Sequence, residues 1–310
     1  MKVKISTAQY FKMMNDHMTS QQSKIAELQS QLSVGKKNVT PSTDVKATTS
    51  SLKLSRVISQ QQDDISNLRS VNSGYKEEEA IMMSMVDMLR RMEDLSVAAK
   101  SDTYSANELD IFAIEVEGYM DDIRGLANTR DANGHFMFSG TKVTTLPFTK
   151  QADGTVVYNG NQTEPTLELD TGYQLPLSIS GHKLVGVIER KNALGAVTSR
   201  VDMFKVMQDF VTALKANDKT GVGLALDELQ VVSRNINKNL VDNGLRQNLV
   251  EERRDISEDK IVIYKGLLSE AQDVDYATAI TQLSSDMLAL EAAQSTFAKV
   301  SQLSILNFIR

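Results

Sequence analysis

Residues that break helices are crowded into one stretch of this 310-residue chain. That crowding limits the possible architecture more than any single motif does. Eight of the 16 glycines lie between positions 131 and 195: Gly134, Gly140, Gly154, Gly160, Gly172, Gly181, Gly186 and Gly195. Three of the four prolines (Pro147, Pro165 and Pro176) lie there too, and the flanking arms hold only Pro41. Relative to alanine, glycine costs a helix interior about 1 kcal/mol and proline about 3. The chain therefore reads as helical arm, turn-rich centre, helical arm.

The arms carry helical periodicity. Met14, Met18, Gln21, Ile25, Leu28 and Leu32 step by four and three, the spacing of a coiled-coil seam with one polar member. Gly35 suits the left-handed residue that ends such a helix, and Ser42 after Pro41 offers a new N-cap. The seam resumes at Leu54, Ile58, Gln61, Ile65 and Leu68, and a looser face follows through Met82, Val86, Leu89 and Met92. Residues 101–104 read as a turn. Ser105 and Glu108 form a capping box ahead of Leu109, Phe112, Val116, Met120 and Ile123. In the second arm, Ser199-Arg200-Val201-Asp202 resembles another cap. Phe204, Met207, Val211 and Leu214 form a face that breaks near 217–223, and Leu229, Val232, Ile236 and Leu240 continue it. The last helix carries Ile280, Leu283, Met287, Leu290, Ala293, Phe297 and Val300.

The centre changes period. Leu167 and Leu169, then Leu175, Leu177 and Ile179, then Val185 and Val187 alternate, as short strands do. Asp153-Gly154 between Phe148-Thr149-Lys150 and Val156-Val157-Tyr158 is a hairpin signal, and Asn159-Gly160 marks another tight turn. A helix with one apolar face needs a partner. Folding the second arm back on the first supplies it and brings the chain ends together. The predicted fold is mainly α: a long antiparallel coiled-coil rod built from both arms, with a small inserted β-rich domain. Helices of this length span about 40–60 Å at ~1.5 Å per residue.

Composition narrows the function. Apolar residues make up 41%, aromatics only 5%, and tryptophan is absent. That suits helices packed on helices better than an aromatic-lined ligand pocket. The net charge of −6 with no basic run argues against a nucleic-acid partner. The absence of cysteine excludes disulfides, thiolate metal sites and cysteine nucleophiles, and suits a protein that crosses compartments unfolded. No Sec-type signal peptide opens the chain, and no segment nears the ~20 apolar residues of a membrane span, so no membrane partner is expected.

Candidate sites dissolve on inspection. His17, His135 and His182 lie in three separate segments, and no Gly-x-Ser-x-Gly elbow occurs. Gly35-Lys36-Lys37 fails as a phosphate loop because Ser30 stands where that motif needs its first glycine. Asp273 and Asp275 read as a helix start rather than a metal site, and Glu77-Glu78-Glu79 as a solvated face. Met13, Met14, Met18, Met82, Met83, Met85, Met88 and Met92 suit a helix core, or an interface with irregular partners. No catalytic residue, cofactor or metal is expected.

Four segments resemble the flagellin-like axial proteins, in their hook-associated protein 3 branch. One is 25–37 with Thr40-Pro41-Ser42-Thr43-Asp44, departing from the family in Val34, where serine is usual, and in lacking proline after Asp44. The second is Gly134-His135-Phe136-Met137-Phe138-Ser139-Gly140-Thr141-Lys142, and the third is Phe148 with 153–160. The fourth, 273–283 with 288–308, is the most extensive. The match covers both arms and the entry to the insert, and it is weak over 161–195.

The resemblance implies a structural subunit of the hook–filament junction, exported by the flagellar type III pathway without a cleaved signal. It implies self-association in a helical or ring lattice. The implied partners are the first hook-associated protein, flagellin and an export chaperone. On this reading 1–42 and 270–310 are terminal assembly helices, 43–130 and 200–269 a helical rod, and 131–199 an outer β-rich insert. The expected assembly contacts are Met14, Met18, Ile25, Leu28, Leu32, Ile280, Leu283, Met287, Leu290, Phe297, Val300 and Leu303. The alternatives are a flagellin-type filament subunit and a type III needle-tip or translocator protein. The latter calls for a longer apolar segment than the chain has.

Overall fold

The structure, a computed structural model, describes residues 7–37, 44–101, 103–169, 172, 174–191 and 197–308. It is mainly α. The elements in order are α1 (Thr7–Val34), α2 (Val45–Ala99), α3 (Ala106–Ala127), β1 (Phe148–Lys150), β2 (Val156–Tyr158), β3 (Thr166–Glu168), β4 (Gln174–Pro176), α4 (Gly181–Val185), β5 (Ile188–Lys191), β6 (Val197–Val201), α5 (Met203–Lys215), α6 (Lys219–Gln272) and α7 (Tyr276–Phe308). The strands pair as three antiparallel hairpins, β1–β2, β3–β4 and β5–β6. The chain forms two compact units, 1–62 with 258–310, and 63–257.

The unit 63–257 holds one large core and a smaller cluster around Tyr75. The apolar stripe of α2 enters it through Met82, Met85, Leu89 and Met92, all fully buried. Leu109, Val116 and Ile123 of α3 meet Phe204, Met207, Phe210 and Leu214 of α5, with Val222, Leu229 and Ile236 of α6 closing the far side. Methionine supplies much of the α2 side, where its unbranched chain fills gaps between helices of unlike spacing. Met83, on the opposite face of the same helix, is exposed.

Caps set the helix limits. The carboxylate of Glu108 accepts from the Ser105 N–H at 2.7 Å and its hydroxyl at 2.8 Å, completing the expected box. The first of these bonds also does most to lower the pKa of Glu108. At α5 the cap differs from expectation. Val197–Val201 is strand β6, and Asp202 alone caps the helix by accepting from the Lys205 N–H at 2.9 Å. Asp44 caps α2 through the Ala47 N–H at 2.9 Å. The proposed cap Ser42 lies outside the described residues.

The insert is tied to the helices by the turn at Phe136–Gly140, all of which is buried. The Phe138 carbonyl accepts from the Gly181 N–H at 2.7 Å, and the Ser139 carbonyl from the Asn161 N–H at 3.1 Å. The Tyr158 hydroxyl lies 3.1 Å from the Phe138 carbonyl and 2.7 Å from that of Asn161. Burial pushes its pKa up. Phe148 stacks between Tyr158 and Phe204, joining the β1–β2 hairpin to α5. That hairpin forms where Asp153-Gly154 placed it, with Phe148 opposite Tyr158 and Gly154 at φ +83°. Elsewhere the alternation misleads. Leu177 and Ile179 lie beyond β4, and Val185 ends the short helix α4, which is capped by Ser180. Three or four residues hold too few side chains to separate period two from a single helical turn.

Glu78 overturns the reading of 77–79 as a solvated face. It is fully buried, on the inward stripe of α2 between Tyr75 and Met82. Its carboxylate accepts from the Ile179 N–H at 2.8 Å and from the Asn243 amide at 3.0 Å. It therefore bridges α2, the insert and α6. Desolvation pushes its pKa up to about 7, against the opposing pull of those donors and of the Arg246 charge. Nearby, Arg246 holds Glu164 of the insert at 2.9 Å. The Tyr75 hydroxyl donates to the Pro176 carbonyl.

Two outcomes follow. Gly140 sits at φ +66°, and a Cβ there would lie 2.6 Å from the Asn161 carbonyl oxygen. Gly140→Ala should cost about 2–4 kcal/mol in chemical denaturation. Gly134→Ala, with positive φ but open space, should cost only about 1 kcal/mol. Glu78 binds its proton more tightly folded than unfolded. Its contribution is thus fully present below pH ~4.5 and is lost as pH rises to about 7, roughly 3 kcal/mol in all. Denaturant midpoints measured from pH 5 to 8 should show this slope, and Glu78→Gln should flatten it.

Candidate assembly site

The unit formed by 1–62 and 258–310 is built on the pairing of α1 with α7. Phe11, near the start of α1, packs edge-on against Phe297, late in α7, with ring centroids 5.3 Å apart. At the other end Gly35 lies beside Tyr276. The two helices therefore run antiparallel.

A short zipper of backbone bonds fixes their register. The Lys37 N–H donates to the Gln272 carbonyl at 2.7 Å, and the Val274 N–H to the Gly35 carbonyl at 3.0 Å. Lys36 and Asp273 thus bridge antiparallel. Gly35 takes φ +76°, ending α1 as its sequence context requires. Asp275 caps α7, accepting from the Ala277 N–H at 3.0 Å and the Thr278 hydroxyl at 2.7 Å. The Thr278 hydroxyl is the main cause that lowers the Asp275 pKa. Ser269 donates its hydroxyl to Asp273. Both carboxylates are thus occupied by local structure, and among the described residues no group of histidines and carboxylates could hold a metal ion.

The residues expected at the assembly surface fall along this pair. Ile25 is buried, while Met14, Met18, Leu28 and Leu32 of α1 and Leu283, Leu290, Phe297 and Val300 of α7 are half-buried. Ile280 and Met287 are exposed. The side chain of Leu303 lies outside the described residues. Ile25, Met287 and Leu290 line one shallow groove, together with Leu288. Sequence reasoning missed Phe11 and Leu288. Phe11 lies three residues before Met14 on the same seam, so extending the seam one step back would have found it.

The apolar surface here stays largely uncovered. Among the described residues only Ile25, Ile58, Ile261 and Ala279 of this unit are buried hydrophobics. Met13, Tyr276, Ile280, Met287 and Leu288 are all more than half exposed. No described helix is long and apolar enough to cross a membrane.

The comparisons agree with this architecture. The family of the bacterial flagellin N-terminal helical region matches residues 5–143. Over that stretch the chain is similar to the flagellin-like axial proteins. Over its length it is similar to flagellar hook-associated protein 3. That of Escherichia coli (strain K12) is 23% identical over 316 residues, covering 98% of each chain. That of Salmonella typhimurium is 22% identical over 321 residues, covering 99% of this chain and 100% of its own. The fold is shared with the crystal structure of hook-associated protein 3 from Legionella pneumophila. That comparison has a TM-score of 0.60 and 17% identity, and covers 69% of this chain and 98% of that one.

Removing the cap with Asp275→Ala should loosen the first turn of α7. Faster amide hydrogen exchange at Ala277 and Thr278, with the 63–257 unit unchanged, is the expected reading.

Proposed function

We propose that this chain is the adaptor subunit at the hook–filament junction, joining the first hook-associated protein on one side to flagellin on the other. It polymerises through its terminal helices, 1–42 and 270–310. The helices of 43–130 and 200–269 form the wall around them, and the 131–199 insert lies outside. It reaches its place through the flagellar type III pathway, escorted by an export chaperone and without a cleaved signal, and it catalyses nothing.

The observation that carries this reading is the uncovered apolar surface of the α1–α7 unit. Burial of apolar surface is worth about 25 cal/mol per Å². A two-helix pair that leaves Met13, Ile280, Met287 and Leu288 in water forgoes much of that gain. Exposed patches of this kind mark association surfaces. A helical lattice of identical subunits covers them, while the separate core of 63–257 keeps each subunit folded before it is incorporated.

Removal of residues 291–310 should leave the chain soluble, with the 63–257 unit melting cooperatively, yet absent from isolated flagella. If that truncate still supported filament attachment, terminal packing would not be the mechanism. Electron microscopy of a deletion strain separates junction from filament. Bare hooks with flagellin shed into the medium support the junction, whereas flagellin missing from cells and medium alike indicates the filament subunit.

A further inference from the structure

A string of hydrogen bonds leads from the buried carboxylate of Glu78 to the protein surface. Glu78 Oε1 accepts from the Ile179 N–H of the insert at 2.8 Å, and Oε2 accepts from Asn243 Nδ2 at 3.0 Å. Asn243 Oδ1 accepts in turn from Gln247 Nε2 at 2.7 Å. The same Gln247 Nε2 donates to Glu79 Oε2 at 2.7 Å. The string therefore runs from Glu78 on α2 through Asn243 and Gln247 on α6 and back to Glu79 on α2. It starts at two fully buried side chains and ends at two half-buried ones.

Every donor in the string points as an ionised Glu78 requires, because a carboxylate can only accept. Neutral Glu78 carries a proton of its own. On Oε1 that proton would meet the Ile179 N–H, a backbone donor that cannot turn. On Oε2 it meets the Asn243 amide, which can, since the terminal torsion of asparagine or glutamine is broad and two-fold. A half-turn lets Oδ1 accept from Glu78 and sends Nδ2 toward Gln247. Gln247 must then turn as well, presenting Oε1 to Asn243. That oxygen also faces the Glu79 carboxylate, so two acceptors meet, and Glu79 is free to swing into solvent.

We propose that the string is a proton-triggered switch: proton uptake by Glu78 reverses the Asn243 and Gln247 amides and releases Glu79 from α6. Charged groups on each packed element set its working range. Burial pushes the Glu78 pKa up to about 7, while Arg246 of α6 draws it down and Glu164 of the insert raises it. Glu164 is itself held by Arg246 and Lys183, and Lys183 also pairs with Asp242. Glu79 of α2 acts through the string. The reversed state therefore prevails below about pH 7, and the arrangement with Glu79 bonded to Gln247 prevails above it. Acid thus keeps the buried bond between α2 and α6 and breaks the outer one. The switch lies wholly within 63–257, so it stands whether or not the terminal helices polymerise.

Nuclear magnetic resonance of the full chain, isotopically labelled in asparagine, glutamine and glutamate side chains, tests it. Between about pH 5 and 8.5 the Asn243 and Gln247 amides and the Glu79 carboxyl should step together, with one midpoint near 7. Glu78→Gln puts an amide donor where the proton sits. Asn243 and Gln247 should then hold, at every pH, the positions they take in the wild type at the acid end. Gln247→Met severs the string, so Asn243 should still step near 7 while Glu79 loses that step. Flat Asn243 or Gln247 resonances in the wild type overturn the switch, as does a step that survives Glu78→Gln. A Glu79 step that survives Gln247→Met overturns transmission to the surface. Should circular dichroism show that Glu78→Gln fails to fold, the wild-type and Gln247→Met titrations decide.

Discussion

A helix with one apolar stripe is incomplete in water, and everything in this chain follows from how each stripe is covered. Within 63–257 the stripes of α2, α3, α5 and α6 cover one another, and the interior residues of all four are sealed. In the unit of α1, α7 and the adjoining ends of α2 and α6, burial among the described residues stops at a handful of hydrophobic side chains. The first arrangement makes a subunit that holds its shape alone. The second makes one that gains from company. A single sequence periodicity, three and four, thus serves folding in one unit and, on the proposed function, association in the other.

The insert depends on the same stripes, through backbone rather than side chains. Its attachment is a turn whose carbonyls, at Phe138 and Ser139, receive N–H groups from Gly181 and Asn161. Where the insert meets α2 and α6, the stripe substitutes a carboxylate for an apolar residue. Glu78 satisfies a backbone N–H of the insert that would otherwise be buried without a partner. An apolar residue there would pack better but would leave the Ile179 N–H orphaned, at about 1–3 kcal/mol. Arg190 does comparable work at the β5–β6 hairpin, holding Glu228 through two bonds of 2.7 Å and Asp209 at 2.8 Å.

Much of this was legible because it is local. The seam from Met14 to Leu32, the break at Gly35, the Ser105–Glu108 box and the Asp153-Gly154 hairpin each rest on residues within one or two turns of one another. What was missed depends on partners distant in sequence. Glu78 looked like one of three surface carboxylates because its donors lie 101 and 165 residues away. Even so a signal was present. Tyr75, Glu78, Met82, Met85, Leu89 and Met92 step by three and four, which puts Glu78 on the inward stripe. Composition outweighed phase in that reading. The helix α4 had no such signal, since five residues between a Ser180 cap and Gly186 are too few to show a period.

On the proposed function, two grades of contact suffice for an axial structure exported as single chains and assembled at a distance. If the stable unit alone carried strong association surfaces, subunits would aggregate before reaching the growing end. Placing the larger apolar debt on the terminal pair defers association to the site where other termini are already ordered. There each new subunit adds its helices to an existing template, so the entropy of ordering is offset by packing on several neighbours at once.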